Sequence, residues 1–397
     1  MPDDVVITGM GVVSAIGIGE EPFWQSLNTG RSAASPVDGL DTAELPRRIA
    51  CQIKERIGRN DPNLGRASNL AVAAARQAVS SSRFAAAELQ AARSAVFIGT
   101  TMGETDFIEE RLTAESNDWL SADHAQRIGL GRPGCIAEHI RRDLNLTGAA
   151  LDLYGACAAG NMALAVARRR LLDHECDVAL AGGADGFSRL AFVGFMRSRV
   201  MAAEVCRPFD QARDGLLVGE GGAVFVLERG SDAKARGAAI RAVIRGAAFV
   251  CEDYHPTRPD PEGDGLTRAT IAALCDADVS PGDVPYVCAH GTGTPHNDAI
   301  EVKVMQKCFP NGVAFSSIKA LTGHPMGAAA ALEAAACVLM LERKTIIPTW
   351  HLENVLTPCE LDAVRCQPRP APDLRCVVNN SAGFGGYNAS VVLIGVN

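Results

Sequence analysis

Two hydrophobic patterns alternate along the chain. Short apolar runs bounded by glycine or polar residues are typical of buried strands, whereas longer Ala-rich runs with helical spacing are typical of helices. The first pattern predicts strands at residues 5–8, 94–99, 177–182, 222–227, 240–250, 286–289, 313–317, 376–380 and 390–394. The second predicts helices at residues 23–30, 68–80, 107–119, 135–144, 267–277, 298–308 and 326–341. This alternation indicates a layered α/β architecture.

A charged stretch at residues 228–237 divides the pattern in two. We expect the domain boundary there, with an N-terminal half at residues 1–230 and a C-terminal half at residues 231–397. The chain has 397 residues, and a single core rarely grows that large. One large two-layer α/β body is the alternative.

Composition narrows the class of protein. The net charge of -8 argues against a nucleic-acid partner, and an acidic partner would need a local basic patch. No apolar run reaches the ~18 residues of a membrane span, and the N-terminus lacks the basic residues of a signal peptide. Thirteen cysteines without a CxxC spacing indicate reduced thiols in a cytoplasm rather than a structural zinc site.

One strand-to-helix turn carries a candidate nucleophile. An apolar run at residues 149–154 is followed by a turn of small residues at 155–160 and an Ala-rich helical segment at 162–172. Cys157 lies in this turn, where small neighbours let another molecule reach the sulfur. The peptide dipoles at a helix N-terminus stabilise a thiolate, so we expect the pKa of Cys157 to be lowered. The alternative is a buried structural cysteine, which is the commoner fate of a free thiol.

Two histidines lie at the same kind of corner. His290 opens a Gly/Thr loop after the strand predicted at 286–289, and His324 lies just before the helix predicted at 326–341. A nucleophile and two bases at such corners are what a shared active site requires. Zinc held by Cys157, His290 and His324 is the alternative, but their spacing matches no metal signature, so we expect no metal.

These residues, taken in order, resemble the motifs of β-ketoacyl-acyl carrier protein synthases, and most closely those of the elongating type with a Cys-His-His triad. The shared motifs are Cys157, residues 207–210, 213–215, 219–221 and 290–294, Lys319, residues 323–324 and residues 383–386. The resemblance covers essentially the whole chain. It implies a thiolase-like fold, with two similar α/β halves in five αβαβα layers, and it implies a dimer.

The resemblance also implies an activity and residue roles. Cys157 would carry an acyl group, and His290 and His324 would bind a malonyl thioester and promote its decarboxylation before a Claisen condensation. Lys319 would order the site with Glu301 as its acidic partner, and we expect a buried ion pair because an unpaired buried charge is costly. The remaining implied roles are phosphopantetheine contacts for Thr292 and Thr294, an acyl-pocket gate for Phe384, and an oxyanion hole formed by the backbone N–H groups of Phe384 and Cys157.

The implied partners are an acyl carrier protein, which brings the substrates on phosphopantetheine, and a second subunit. No other cofactor is required. The second subunit would be an identical chain or a chain-length-factor-like protein, and this chain would be the active half because it carries Cys157. Candidate arginines for docking an acidic carrier are Arg56, Arg59, Arg66, Arg127 and Arg199, and scattered solvated arginines are the alternative.

The chain departs from the family pattern at three places. Ala330 replaces a second glycine, Ala382 replaces an aromatic residue, and residues 121–141 lack the usual Pro-rich, Asn-containing stretch. These regions shape the acyl pocket and the dimer contact in relatives, so both fatty-acid elongation and specialised polyketide synthesis remain open. Acyl transfer from Cys157 to an amine or alcohol is the second enzymatic hypothesis, and the presence of both histidines favours condensation.

Overall fold

The computed structural model describes residues 4–57, 61, 64–106, 109 and 135–396. The main strands of the described residues, five in each half, are β1 Val5–Ser14, β2 Ser94–Gly99, β3 Ala149–Leu153, β4 Val178–Asp185, β5 Gly221–Arg229, β6 Ala242–Cys251, β7 Tyr286–Cys288, β8 Ala314–Ser316, β9 Cys376–Gly383 and β10 Tyr387–Gly395. Two-residue strands lie at Gly17–Ile18, Ser35–Pro36, Ile49–Ala50, Thr345–Ile346, Asp362–Ala363 and Arg369–Pro370. The strands predicted from the sequence are confirmed, most of them within a few residues at each end.

The helices within the described ranges are α1 Glu20–Thr29, α2 Arg66–Ser82, α3 Ala86–Ala91, α4 Cys135–Asp143, α5 Ala159–Leu172, α6 Arg189–Arg197, α7 Gly230–Ala235, α8 Asp264–Ala277, α9 Pro295–Cys308, α10 Lys319–Thr322 and α11 Ala329–Arg343. The helix predicted at 107–119 lies outside the described residues apart from Glu109. Helix α6 was not predicted from the sequence.

The two halves repeat one topology. In the first half the strands pair in the order β3-β2-β4-β5-β1, and in the second half in the order β8-β7-β9-β10-β6. In each half the first three strands of this order are parallel, and the fourth is antiparallel to both of its neighbours. Strands β1 and β6 also pair, from Val5–Ile7 to Ala242–Ile244, so that one 12-stranded sheet runs through the described residues.

Helices α5 and α11 form the middle layer, because each packs on strands of both halves. Helices α2 and α4 cover the outer face of the first set of strands, and α8 and α9 lie on the second. The small side chains of the middle layer allow close approach: a Cβ atom at Gly160 of α5 would lie 2.7 Å from the backbone nitrogen of Ala331 in α11. The five-layer thiolase-like fold implied by the resemblance is thus what the chain forms. The boundary at residue 230 stays a prediction.

Both middle helices begin in the same way. A 3-10 turn, Ala156–Ala158, precedes α5, and a second, Met326–Ala328, precedes α11. The first residue of each turn has a φ of 47°, which an L residue rarely adopts. Backbone strain of this kind clusters at functional sites. No helix of the described residues is long and apolar enough to span a bilayer.

Candidate active site

The structure brings the three predicted reactive residues into one cavity of about 400 Å³. Cys157 reaches it from the turn after β3, His290 from the loop after β7, and His324 from the segment before α11. Their exposed fractions are 6%, 2% and 2%, so the cavity shields all three from bulk water. Interactions with charge are strengthened in such a dry site.

The Cys157 thiol is protonated in this environment. Burial raises the pKa of Cys157 to about 12, and the charge of Lys319 and the backbone N–H groups of Phe384 and Cys157 oppose that rise. The lowered pKa expected from the helix N-terminus is therefore wrong, because the loss of water around the sulfur outweighs the nearby positive charge. Gly383 packs closely here: a Cβ atom on it would lie 2.9 Å from the Cys157 backbone nitrogen.

The two imidazoles lie edge to face, with ring centroids 5.3 Å apart and an angle of 82° between the ring planes. The Met326 N–H donates to Nδ1 of His324 at 3.1 Å, and Lys319 Nζ lies 3.2 Å from Nδ1 of His290. Both Nδ1 atoms therefore accept, which places the proton of each neutral ring on Nε2. Burial and the charge of Lys319 hold the pKa of both histidines well below the ordinary value, so the rings are neutral.

Lys319 pairs with Glu333, so the predicted pairing with Glu301 is wrong. Its Nζ donates to Glu333 Oε1 and, at 2.5 Å, to the carbonyl oxygen of His290. Both partners are 1% exposed. Glu301 instead accepts the backbone N–H groups of His290 at 2.5 Å and Gly291 at 2.8 Å. The reason is position: α9 begins just after the His290 loop and directs Glu301 at it, whereas α11 carries Glu333 between the two sets of strands.

The threonines implied to contact phosphopantetheine both line the cavity. Their hydroxyl oxygens lie 2.9 Å apart, and the backbone N–H of Thr292 donates to Asp298 Oδ1 at 3.1 Å. Asp298 also accepts the N–H of Gly293 at 3.2 Å, so this buried carboxylate holds the loop that carries both Thr292 and Thr294. Asp298 was not singled out from the sequence. Its position six residues after the loop threonine, inside α9, was the available signal.

Two aromatic rings flank the cavity. The ring of Phe384 lies 5.8 Å from that of Phe195, and Phe195 stacks at 6.4 Å and 26° on His324. Phe195 belongs to α6 and was missed by the sequence reasoning. Phe384 is 37% exposed, and its role as an acyl-pocket gate stays a prediction. Ala382 lines the cavity near Phe384, and Ala330 is fully buried.

The predicted docking arginines lie in different places. Of those that the structure describes, Arg199 alone lines the cavity, and it is exposed at its mouth. Arg56 is exposed elsewhere, and Arg66 is bound to the buried Glu220 at 2.7 Å, so Arg66 is unsuited to docking. Arg59 and Arg127 lie outside the described residues. Two arginines that were not predicted, Arg47 and Arg197, share an adjoining surface groove of about 490 Å³ with Arg199.

Among residues 4–57, 61, 64–106, 109 and 135–396, no group of three or more His, Cys, Asp or Glu residues is arranged to hold a metal ion. The chemistry of the cavity is that of a thiol, two neutral imidazole donors and backbone N–H groups.

Comparison with known proteins places this cavity in context. The family model "Beta-ketoacyl synthase, N-terminal domain" matches residues 2–233, and "Beta-ketoacyl synthase, C-terminal domain" matches residues 241–353. The chain is 34% identical to 3-oxoacyl-[acyl-carrier-protein] synthase 2 of Coxiella burnetii over 98% of each protein. Among solved structures, it matches the ishigamide ketosynthase/chain length factor with a TM-score of 0.94 and 35% identity. It also matches a type II PKS acyl-carrier protein complex with its ketosynthase, with a TM-score of 0.92 and 26% identity. Both structural matches cover 100% of each chain.

Proposed function

Because the chain belongs to the beta-ketoacyl synthase family, we propose that it condenses an acyl group held on Cys157 with a malonyl-carrier-protein thioester, with loss of CO2. The observation that carries this assignment is that His290 and His324 share the same protonation state and the same tautomer. Each ring is neutral, each Nδ1 is occupied, and each Nε2 proton is free to donate within the cavity that holds Cys157.

In the first step the Cys157 sulfur attacks the thioester carbonyl of an acyl-carrier protein. The carbon–sulfur bond to Cys157 forms, the bond to the carrier thiol breaks, and the proton of Cys157 ends on that thiol. The backbone N–H groups of Phe384 and Cys157 stabilise the oxyanion, since both already act on the sulfur. Covalent storage makes the later condensation effectively unimolecular.

In the second step a malonyl thioester loses CO2 and leaves an enolate. Negative charge develops on the thioester oxygen, where the Nε2–H groups of His290 and His324 donate hydrogen bonds. The enolate carbon then attacks the acyl carbonyl on Cys157. A carbon–carbon bond forms, the Cys157 carbon–sulfur bond breaks, and the β-ketoacyl product leaves on the carrier. The products are CO2, the β-ketoacyl thioester and the carrier thiol freed in the first step, and the Cys157 thiolate takes up one proton from water to regenerate the thiol.

The partners follow from the same cavity. An acyl carrier protein delivers both thioesters, with Thr292 and Thr294 along the pantetheine arm and Arg199 at the mouth.

A second partner is indicated by the edge strand β3, which exposes Leu151, 46% accessible; the adjacent Tyr154 is 45% accessible. An open strand edge with exposed apolar side chains favours pairing with another subunit. We infer a dimer across this edge, with an identical chain or a chain-length-factor-like subunit. No disulfide joins the cysteines of the described residues, which fits thiols kept reduced in a cytoplasm.

The test is intact-protein mass after incubation with a panel of acyl-carrier thioesters, followed by addition of malonyl-carrier protein. We expect the acyl mass on the Cys157 peptide, then its discharge with release of CO2 and a β-ketoacyl-carrier product. Cys157→Ala should gain no mass. Discharge to an added amine or alcohol without CO2 would support the acyl-transfer hypothesis instead, and acylation of another cysteine would contradict both.

A further inference from the structure

The carboxylate of Asp185, the last residue of β4, accepts hydrogen bonds from both halves of the molecule. It is fully buried. Its Oδ1 accepts the Thr100 hydroxyl at 2.7 Å and the Met102 N–H at 2.9 Å, and its Oδ2 accepts the N–H groups of Thr101 at 2.8 Å and Gly327 at 2.6 Å. The first three donors follow β2, whereas Gly327 lies in the 3-10 turn before α11. One side chain therefore holds that turn against the first half.

The same turn orients His324. The N–H of Met326, the residue before Gly327, donates to Nδ1 of His324 and so leaves the proton on Nε2. Met326 has a φ of 47°, and a non-glycine residue keeps such a conformation only where its surroundings hold it. The bond between Asp185 and Gly327 is the next backbone contact along this strained turn.

We propose that Asp185 is a positioning residue for His324. By holding the turn Met326–Ala328, it keeps the Met326 N–H on Nδ1 and the Nε2 proton directed at the substrate oxygen. The inference rests on the proposed decarboxylation. An amide at position 185 cannot replace the carboxylate, because its NH2 group would face N–H donors that the carboxylate accepts.

Protonation of Asp185 should have the same effect as this replacement. Burial raises the pKa of Asp185 to about 6, and hydrogen bonds from Thr100 and three backbone N–H groups oppose that rise. The carboxylate form therefore holds the turn above about pH 6 and is lost as the pH falls through that value. Among the described residues, the titratable or charged groups on the elements packed around it include Cys157, His324, Glu104 after Thr100, the Arg66–Glu220 pair beside Gly186, and Glu109, which accepts the Ser188 hydroxyl.

The test compares the parent protein with Asp185→Asn and Thr100→Val in two assays across pH. We expect Asp185→Asn to lower malonyl-carrier decarboxylation about 10- to 100-fold, the size typical of a small misplacement. Self-acylation of Cys157 should be retained, because removing the Asp185 charge lowers the pKa of that thiol. The decrease in decarboxylation near pH 6 should be absent in this variant. Thr100→Val removes a bond that lowers the pKa of Asp185, so that decrease should move to higher pH.

Asp210→Asn is the matched control. Asp210 is 1% exposed and accepts three backbone N–H groups at 2.7 to 2.9 Å, but it does not line the cavity. It should lose stability without separating the two assays. Equal losses of both activities in Asp185→Asn, or an unmoved pH profile in Thr100→Val, would overturn the inference. If Asp185→Asn does not fold, the Thr100→Val profile decides alone. A parent protein that acylates Cys157 but never decarboxylates malonyl-carrier protein would overturn the proposed function instead.

Discussion

The Nζ atom of Lys319 lies 3.2 Å from Nδ1 of His290, and this contact decides which nitrogen of the ring can donate to substrate. A charged ammonium has only donors, so Nδ1 must accept and the proton resides on Nε2. The charge of Lys319 also adds to burial in lowering the pKa of His290, which keeps the ring neutral. A residue outside the cavity lining thus sets both the charge and the tautomer of a proposed catalytic group.

Replacing Lys319 should therefore cost stability as well as activity. Lys319→Met leaves the buried carboxylate of Glu333 without its cation, and breaking such a pair typically costs about 3–5 kcal/mol of the free energy of unfolding. Urea denaturation measures that loss, and malonyl decarboxylation should fall in parallel. The double variant Lys319→Met/Glu333→Leu removes both charges, so it should recover stability without recovering activity. A stable and fully active Lys319→Met protein would contradict the assignment.

The partner of Lys319 illustrates what the sequence could not predict. The corners that hold Cys157, His290 and His324 were predictable, because each follows an apolar run and local pattern is enough to place it. Glu333 lies inside the Ala-rich helix α11, and nothing local shows which acid Lys319 reaches. That choice depends on how α11 packs between the two sets of strands, which is a property of the whole fold.

The pKa of Cys157 was likewise not predictable from the local sequence. A helix N-terminus is visible in the sequence around Cys157, but the loss of solvent that raises its pKa requires both halves to close over it. Helix α6 was missed because it begins Arg189-Leu190, directly after a turn, and its apolar face is short. Phe195 was missed with it. The long, strongly periodic elements that form the layers were found because their patterns are local.

The raised pKa of Cys157 predicts how the free thiol responds to pH. The thiolate is the reactive form, and an ordinary cysteine thiol has a pKa of about 8.5. With a pKa of about 12, alkylation of Cys157 by iodoacetamide should rise about tenfold per pH unit without a plateau below pH 9. Mass mapping of the Cys157 peptide measures this rate separately from the exposed cysteines Cys251, Cys275 and Cys366. A plateau near neutral pH would show that the helix N-terminus outweighs burial.

Charge reversal at the cavity mouth should weaken carrier delivery. Arg199 is exposed there, and Arg47 and Arg197 line the groove beside it, so Arg199→Glu should raise KM for acyl-carrier substrates more than for small thioester analogues. Exposed charges mainly change the rate of association, and salt screens them, so the increase in KM should become smaller with added salt. Arg375→Glu is the matched control, since this exposed arginine precedes β9 and lies at the opposite end of that strand from Gly383. Equal changes in KM for both substrate classes would exclude docking at Arg199.

The histidine pair should be needed for decarboxylation rather than for loading. Removing one donor from a site that stabilises developing negative charge typically costs about 10²–10³ in rate, so His290→Ala and His324→Ala should each lose that much malonyl decarboxylation. Self-acylation should persist in part, because the backbone N–H groups of Phe384 and Cys157 remain. His324→Gln can place an amide N–H near the former Nε2 and should retain more activity than His324→Ala. A chelator should change nothing, since neither ring is expected to bind metal. Parental decarboxylation rates in either alanine variant, or loss of activity on metal removal, would show that this mechanism is wrong.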